Sequence, residues 1–178
     1  MNKKRTVVSG LLIMLAFAGC GGKGSGEPKE TTPKAMTEDY LSYMKEGEYE
    51  KAAALVGAEF DPDSYENSAD LQKNAMKAAY GEMEYEIGKE QVEEGKATVT
   101  VQITNANYLS VMDVAIFETM KKQEDDAYTE KLFKEKLEQA EPIEAEVLVN
   151  YRKEDGKWVF DGSNSQLQAA MLGYLSAE

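Results

Sequence analysis

The sequence predicts an α+β domain, helices packed on an antiparallel sheet, and three observations carry that prediction. Apolar residues recur at helical spacing from Met36 to Tyr80. The period then falls to two, from Met83 to Ile103 and again from Ile143 to Phe160. Between these alternating stretches, residues 105–141 return to the helical period. A period of 3.6 buries one stripe of a helix and a period of two buries one face of a strand, so each switch marks a change of element.

Thr32-Pro33 supplies an N-cap followed by proline at the first helical position; Met36, Tyr40, Tyr43 and Met44 then share a face, and Gly47 ends the helix. A second short helix carries Tyr49, Ala52, Ala53 and Val56 up to Gly57. Asp61-Pro62-Asp63-Ser64 is a turn, and Asp63 or Ser64 caps a third helix with Ala69, Gln72, Met76 and Tyr80, closed by Gly81. Met83, Tyr85 and Ile87 alternate with glutamates. After the turn Glu93-Glu94-Gly95-Lys96, residues Ala97, Val99, Val101 and Ile103 alternate with Thr98, Thr100, Gln102 and Thr104. This is a hairpin with one buried and one wet face.

In 105–141, Tyr108, Val111, Met112, Ala115, Ile116 and Met120 form one stripe, and Tyr128, Leu132, Phe133 and Leu137 another. The polar run 121–126 reads either as solvated helix surface or as a break between two helices. Pro142 ends the segment. Ile143, Ala145, Val147, Val149 and Tyr151 form another alternating strand, Glu154-Asp155-Gly156-Lys157 a hairpin turn, and Trp158-Val159-Phe160 the start of its partner. Asp161-Gly162-Ser163-Asn164 leads into a last helix with Leu167, Met171, Tyr174 and Leu175.

The N-terminus has the layout of an export signal. Lys3, Lys4 and Arg5 precede an apolar run over 7–18 that is too short to span a bilayer, which takes about 20 residues. Phe17-Ala18-Gly19-Cys20 resembles the lipobox of bacterial lipoproteins, with Phe17 in place of the usual aliphatic residue. That resemblance implies cleavage between Gly19 and Cys20 and a diacylglycerol on Cys20, the only cysteine of the 178 residues. Two or more acyl chains on one residue anchor a protein stably. The expected organisation is a signal peptide over 1–19, a Gly/Ser/Pro tether over 20–30 and a single domain over 31–178, held at the outer face of the cell membrane.

Composition excludes more than it assigns. The formal charge of −13 becomes −16 once residues 1–19, with three cations and no acids, are removed. Such a surface repels phosphate backbones, so no nucleic-acid partner is expected. The chain has no histidine, which rules out Ser-His-Asp and Cys-His nucleophilic machinery and imidazole zinc sites. No phosphate-cradling or dinucleotide-binding glycine pattern is present, so no cofactor is expected. Asp61, Asp63 and Glu66 lack the spacing of a calcium loop and read as a turn and helix start, so no metal is expected.

Taken together, the lipobox, the segment Tyr40-Leu41-Ser42-Tyr43-Met44-Lys45-Glu46-Gly47-Glu48-Tyr49-Glu50-Lys51-Ala52 and the hairpin end Asp155-Gly156-Lys157-Trp158-Val159-Phe160-Asp161 resemble small Gram-positive lipoproteins with a nuclear transport factor 2-like, or cystatin-like, domain. That resemblance implies N-terminal helices packed into the concave face of a bent antiparallel sheet, here with 105–141 as a long helical insertion. It implies no single activity, because such domains serve as enzymes and as binding modules.

Three functions follow as expectations. The first is a non-enzymatic binding module for a small ligand, a peptide or an envelope protein, with Tyr40, Tyr43, Met83, Tyr85, Tyr151 and Trp158 as candidate pocket lining. The second is an enzyme like ketosteroid isomerase, with Asp39 beside Tyr40 or Asp113 near Tyr108 in acid-base roles. The third is an accessory lipoprotein that docks another envelope protein through 105–141; an exposed apolar patch on 108–137 would favour it.

Overall fold

The computed structural model describes residues 31–162 and 164–175. The signal peptide, the Gly19-Cys20 cleavage site, the lipid attachment at Cys20 and the tether over 20–30 lie outside the described residues. Among the described residues, seven helices and four strands follow in the order α1 (Pro33–Glu46), α2 (Tyr49–Val56), α3 (Pro62–Glu66), α4 (Asp70–Gly81), β1 (Glu84–Glu93), β2 (Lys96–Ala106), α5 (Tyr108–Lys122), α6 (Asp126–Leu137), β3 (Pro142–Glu154), β4 (Lys157–Phe160) and α7 (Ser165–Met171). The sheet is an antiparallel meander in the order β1-β2-β3-β4, and the α5–α6 pair is inserted between its two central strands. The chain is therefore α+β with helices packed against an open antiparallel sheet, as its periodicity predicts.

Alternation sets which face is covered. Ala97, Val99, Val101 and Ile103 of β2 pair across the ladder with Tyr151, Val149, Val147 and Ala145 of β3, and all eight are buried. α1 and α7 pack over this face, and α2 and α4 pack against α1. Gln102, Glu144, Glu146 and Leu148 on the opposite face are exposed.

α1 forms as expected: the Thr32 side chain accepts from the Ala35 amide at 3.2 Å, Pro33 opens the helix, and Gly47 closes it with φ 78°. Its first turn is fastened to the edge of the sheet. β1 carries a bulge between Ile87 and Glu90, and there the Glu90 carboxylate accepts from the Lys34 amide at 2.9 Å while the Lys34 ammonium donates to the Gly88 carbonyl at 3.1 Å. The bulge and the lysine together blunt an edge strand that would otherwise be free to pair.

Two expectations are corrected, and one left open is decided. The single helix carrying Ala69 to Tyr80 is two, because Asp61, not Asp63 or Ser64, caps the short α3 by accepting from the Ser64 amide at 3.1 Å, and α4 starts afresh at Asp70. The run 121–126 is a break: Gln123 adopts φ 60° after α5, and Asp125 caps α6 by accepting from the Tyr128 amide. The last helix ends at Met171, so Tyr174 and Leu175 lie beyond it.

Two buried asparagines join the layers. Asn105 donates to the Ala79 carbonyl at 2.8 Å and the Met171 carbonyl at 2.6 Å, caring for the C-terminal ends of α4 and α7 from one side chain. Asn164 accepts from the Asn150 amide at 2.8 Å and donates to its carbonyl at 3.0 Å, so a side chain continues the pairing along β3 beyond β4.

Candidate functional site

The six residues expected to line a pocket fall into two groups. Tyr40, Met83 and Tyr151 are fully buried in the main core. Phe160 joins the two tyrosines, with ring centroids 5.3 Å from Tyr40 and 4.8 Å from Tyr151. The Tyr151 hydroxyl donates at 2.6 Å to Thr37 Oγ1, which in turn donates to the Pro33 carbonyl at 2.9 Å. Burial raises the hydroxyl pKa of both tyrosines above the ordinary value of 10, so both stay protonated donors. These side chains are packed by neighbours, with almost no surface exposed to solvent.

Tyr43, Tyr85 and Trp158 are half-buried at the margin of that core. The Lys51 ammonium lies 5.4 Å from the centre of the Tyr43 ring, and the Lys153 ammonium 5.3 Å from that of Trp158. The Tyr85 hydroxyl meets Ser42 on α1. Asp39 and Asp113, the candidate acid-base residues, are both exposed.

A cleft of about 300 Å³ opens elsewhere, between residues 47–51 and 60–66, lined by none of the six. Tyr49, Phe60 and Tyr65 pack there ring against ring at 5.6 and 5.7 Å, with Glu48, Glu50 and Glu66 at the rim. Glu48 is held by Lys51 at 2.6 Å. Tyr49 is 7% exposed and its hydroxyl has no hydrogen-bond partner among the described residues. The carboxylates at its rim favour a positively charged group over an anion.

The larger feature is on α5. This helix packs against α6, and α6 against α4, around a second apolar cluster of Ala75, Ala106, Ala115, Phe133 and Leu137. Tyr108, Val111, Met112, Ala115 and Thr119 turn inward to it. The Thr119 hydroxyl accepts from Thr129 at 3.0 Å, tying the two helices together where an unpaired hydroxyl would be costly. Ile116 and Met120, expected on the same stripe as Val111 and Ala115, instead face outward, which corrects the reading of 105–141. They join Leu109, Val114 and Phe117 in an exposed apolar surface, with Phe117 68% and Met120 73% exposed.

The sequence holds a signal for this surface that the single-stripe reading passes over. Apolar residues at 108, 109, 111, 112, 114, 115, 116, 117 and 120 are too many for one face of a helix. A helix apolar all round has either two covering partners or one face left over. Among the described residues, no helix is long and apolar enough to cross a membrane.

No family model matches the chain, and no curated protein matches it. Among solved structures, the chain is similar to a candidate lipoprotein (ycdA) from Bacillus subtilis subsp. subtilis str. 168, at 15% identity and a TM-score of 0.41, over 80% of this chain and 47% of that one. The chain thus spans about half the length of that neighbour.

Proposed function

We propose that this chain is a lipid-anchored protein of the cell envelope that works as a non-enzymatic binding module, docking a protein partner through the outer face of α5. The observation that carries the reading is the exposed apolar surface of Leu109, Val114, Ile116, Phe117 and Met120 on a helix whose other side is already covered. Single exposed apolar residues are ordinary, but a contiguous group on one helix marks an interaction surface. The anchor is supported by the cationic start, the short apolar run and Gly19-Cys20. The nuclear transport factor 2-like kinship is supported by the motifs at 40–52 and 155–161 and by helices packed on one face of an antiparallel sheet.

The test is photo-crosslinking in intact cells from a reactive residue placed at Met120, with Leu148 on the open sheet face as the control position. Docking through α5 predicts a protein adduct of defined mass from Met120 that is absent from Leu148 and is lost with Phe117→Glu. Anchoring predicts that Cys20→Ala removes the acyl mass and either leaves an unprocessed precursor or releases the domain to the medium. Identical adducts from Met120 and Leu148 would sink the docking reading, and unchanged partitioning and mass in Cys20→Ala would sink the anchor.

A further inference from the structure

The outer face of α5 carries a charge pattern that says what it docks. At 100° per residue, Asp113, Phe117 and Lys121 fall on one i, i+4 row, flanked by Val114 on one side and by Leu109, Ile116 and Met120 on the other. Asp113 and Lys121 therefore stand four residues either side of Phe117, opposite in charge and both exposed. Neither takes part in a salt bridge or hydrogen bond among the described residues. Their neighbours on the same helical pair do: Glu118 is held by Lys136 at 3.0 Å, Glu130 by Lys134 at 2.7 Å, Glu135 by Lys131 at 3.7 Å, and Lys122 by the Tyr128 hydroxyl.

We propose that α5 docks on α5 of a second copy of this chain, antiparallel about a two-fold axis at Phe117. Asp113 of each copy then lies alongside Lys121 of the other. The proposal rests on the docking reading of the same surface and names its occupant. A two-fold interface must be complementary to itself, with residue i meeting j and j meeting i. Opposite charges placed evenly about the exposed aromatic meet that requirement. The apolar flanks agree with it, because the same symmetry sets Val114 of one copy level with Met120 of the other.

Five apolar side chains are fewer than the roughly 20–30 residues a side of a standard stable interface, and the chain is acidic, so pairing in dilute solution is expected to be weaker than on a membrane. Confinement on a bilayer raises the effective concentration of one copy around another. At physiological salt the Debye length of about 8 Å screens the general repulsion between acidic domains more than it screens ion pairs in contact.

The experiment uses the full chain, anchored in phosphatidylcholine vesicles, with energy transfer between copies labelled at the Glu94-Gly95 turn, and sedimentation of the same protein as a second readout. Wild type is expected to self-associate. Asp113→Lys alone and Lys121→Asp alone each set like charges against one another and should weaken self-association at least about tenfold. A mixture of the two variants should associate as wild type does, because each carries the charge the other lacks. Both positions are exposed, so unchanged circular dichroism and melting temperature are expected of the variants. Failure of the mixture to recover, or charge variants that associate as wild type does, would overturn the two-fold arrangement. A wild-type chain that stays monomeric on vesicles and in sedimentation would overturn the second copy as occupant, and a persisting heterologous adduct from Met120 would then leave the docking surface itself standing.

Discussion

Gly173 stands in a left-handed conformation and in a space with no room for a side chain unless the backbone beside it shifts. Its φ is +66°, and a Cβ added there would lie 2.0 Å from the Ala106 carbonyl oxygen and 2.9 Å from that of Asn105. The close approach lets α7 end against β2, where the Leu172 carbonyl accepts from the Tyr108 amide at 3.2 Å and so satisfies the first turn of α5. Gly57 is the natural comparison, with φ +68° and nothing within 4 Å of the added atom. Gly57→Ala should cost about 1 kcal/mol, the left-handed backbone penalty alone. Gly173→Ala carries that penalty plus displacement of strand backbone, about 1–3 kcal/mol more. Urea midpoints of the two variants check this, and equal midpoints would show that the contact at Ala106 relaxes freely. Tyr49 is a different kind of residue: its ring packs on Tyr65 and Tyr80, while its buried hydroxyl has no partner among the described residues.

At the scale of elements, legibility follows how much of the outcome is local. The strands read directly, because in 97–103 and 145–151 every second residue is apolar and a one-residue slip would turn all of them outward. The Asp155-Gly156 turn reads for a similar reason, since both residues take positive φ and few other pairs tolerate that. The α3–α4 break does not, because Asp61 and Asp63 are equally good caps in sequence and only the chain path selects one. The candidate pocket does not read either: alternation shows that Tyr40, Met83 and Tyr151 point inward, but whether a cavity or a neighbour meets them depends on Phe160, Thr37 and α7, which arrive from far along the chain. The outward face of α5 is hidden by the same excess of apolar residues that should announce it. Gln123 marks the joint between α5 and α6 with φ 60°, unusual for a residue with a side chain. Gln123→Gly should therefore raise stability by about 0.5–1 kcal/mol, visible as a higher melting temperature. A drop instead would mean that the Gln123 side chain holds the joint in a way its backbone does not reveal.

For the molecule as a whole, acidity and the absence of histidine shape the response to pH. No side chain of this chain titrates in the range 5–8 by its ordinary value, so stability should be flat there. The alkaline side is different, because the core is built on tyrosines. Burial raises the pKa of Tyr40, Tyr49 and Tyr151, with neighbouring tyrosines adding to the effect at Tyr40 and Tyr49, and pushes Tyr80 up to about 12. In the unfolded chain these phenols lose their protons near pH 10, whereas in the folded chain they keep them. The unfolded state therefore binds fewer protons above pH 10, and stability falls as pH rises, by about 1.4 kcal/mol per pH unit for each such tyrosine. The stabilisation is complete below pH 10 and is lost as pH climbs through the folded-state values. Four tyrosines acting together amount to roughly 5 kcal/mol per unit, comparable with the whole stability of an ordinary domain, so the fold should collapse cooperatively between about pH 11 and 12. Tyrosinate absorbance at these four sites should then appear in the same narrow transition as the loss of far-ultraviolet circular dichroism. Absorbance that reaches its full ten-tyrosine amplitude while the dichroism is intact would mean that the phenols of the core are open to solvent, and the packing of Tyr40 and Tyr151 around Phe160 would have to be abandoned with it.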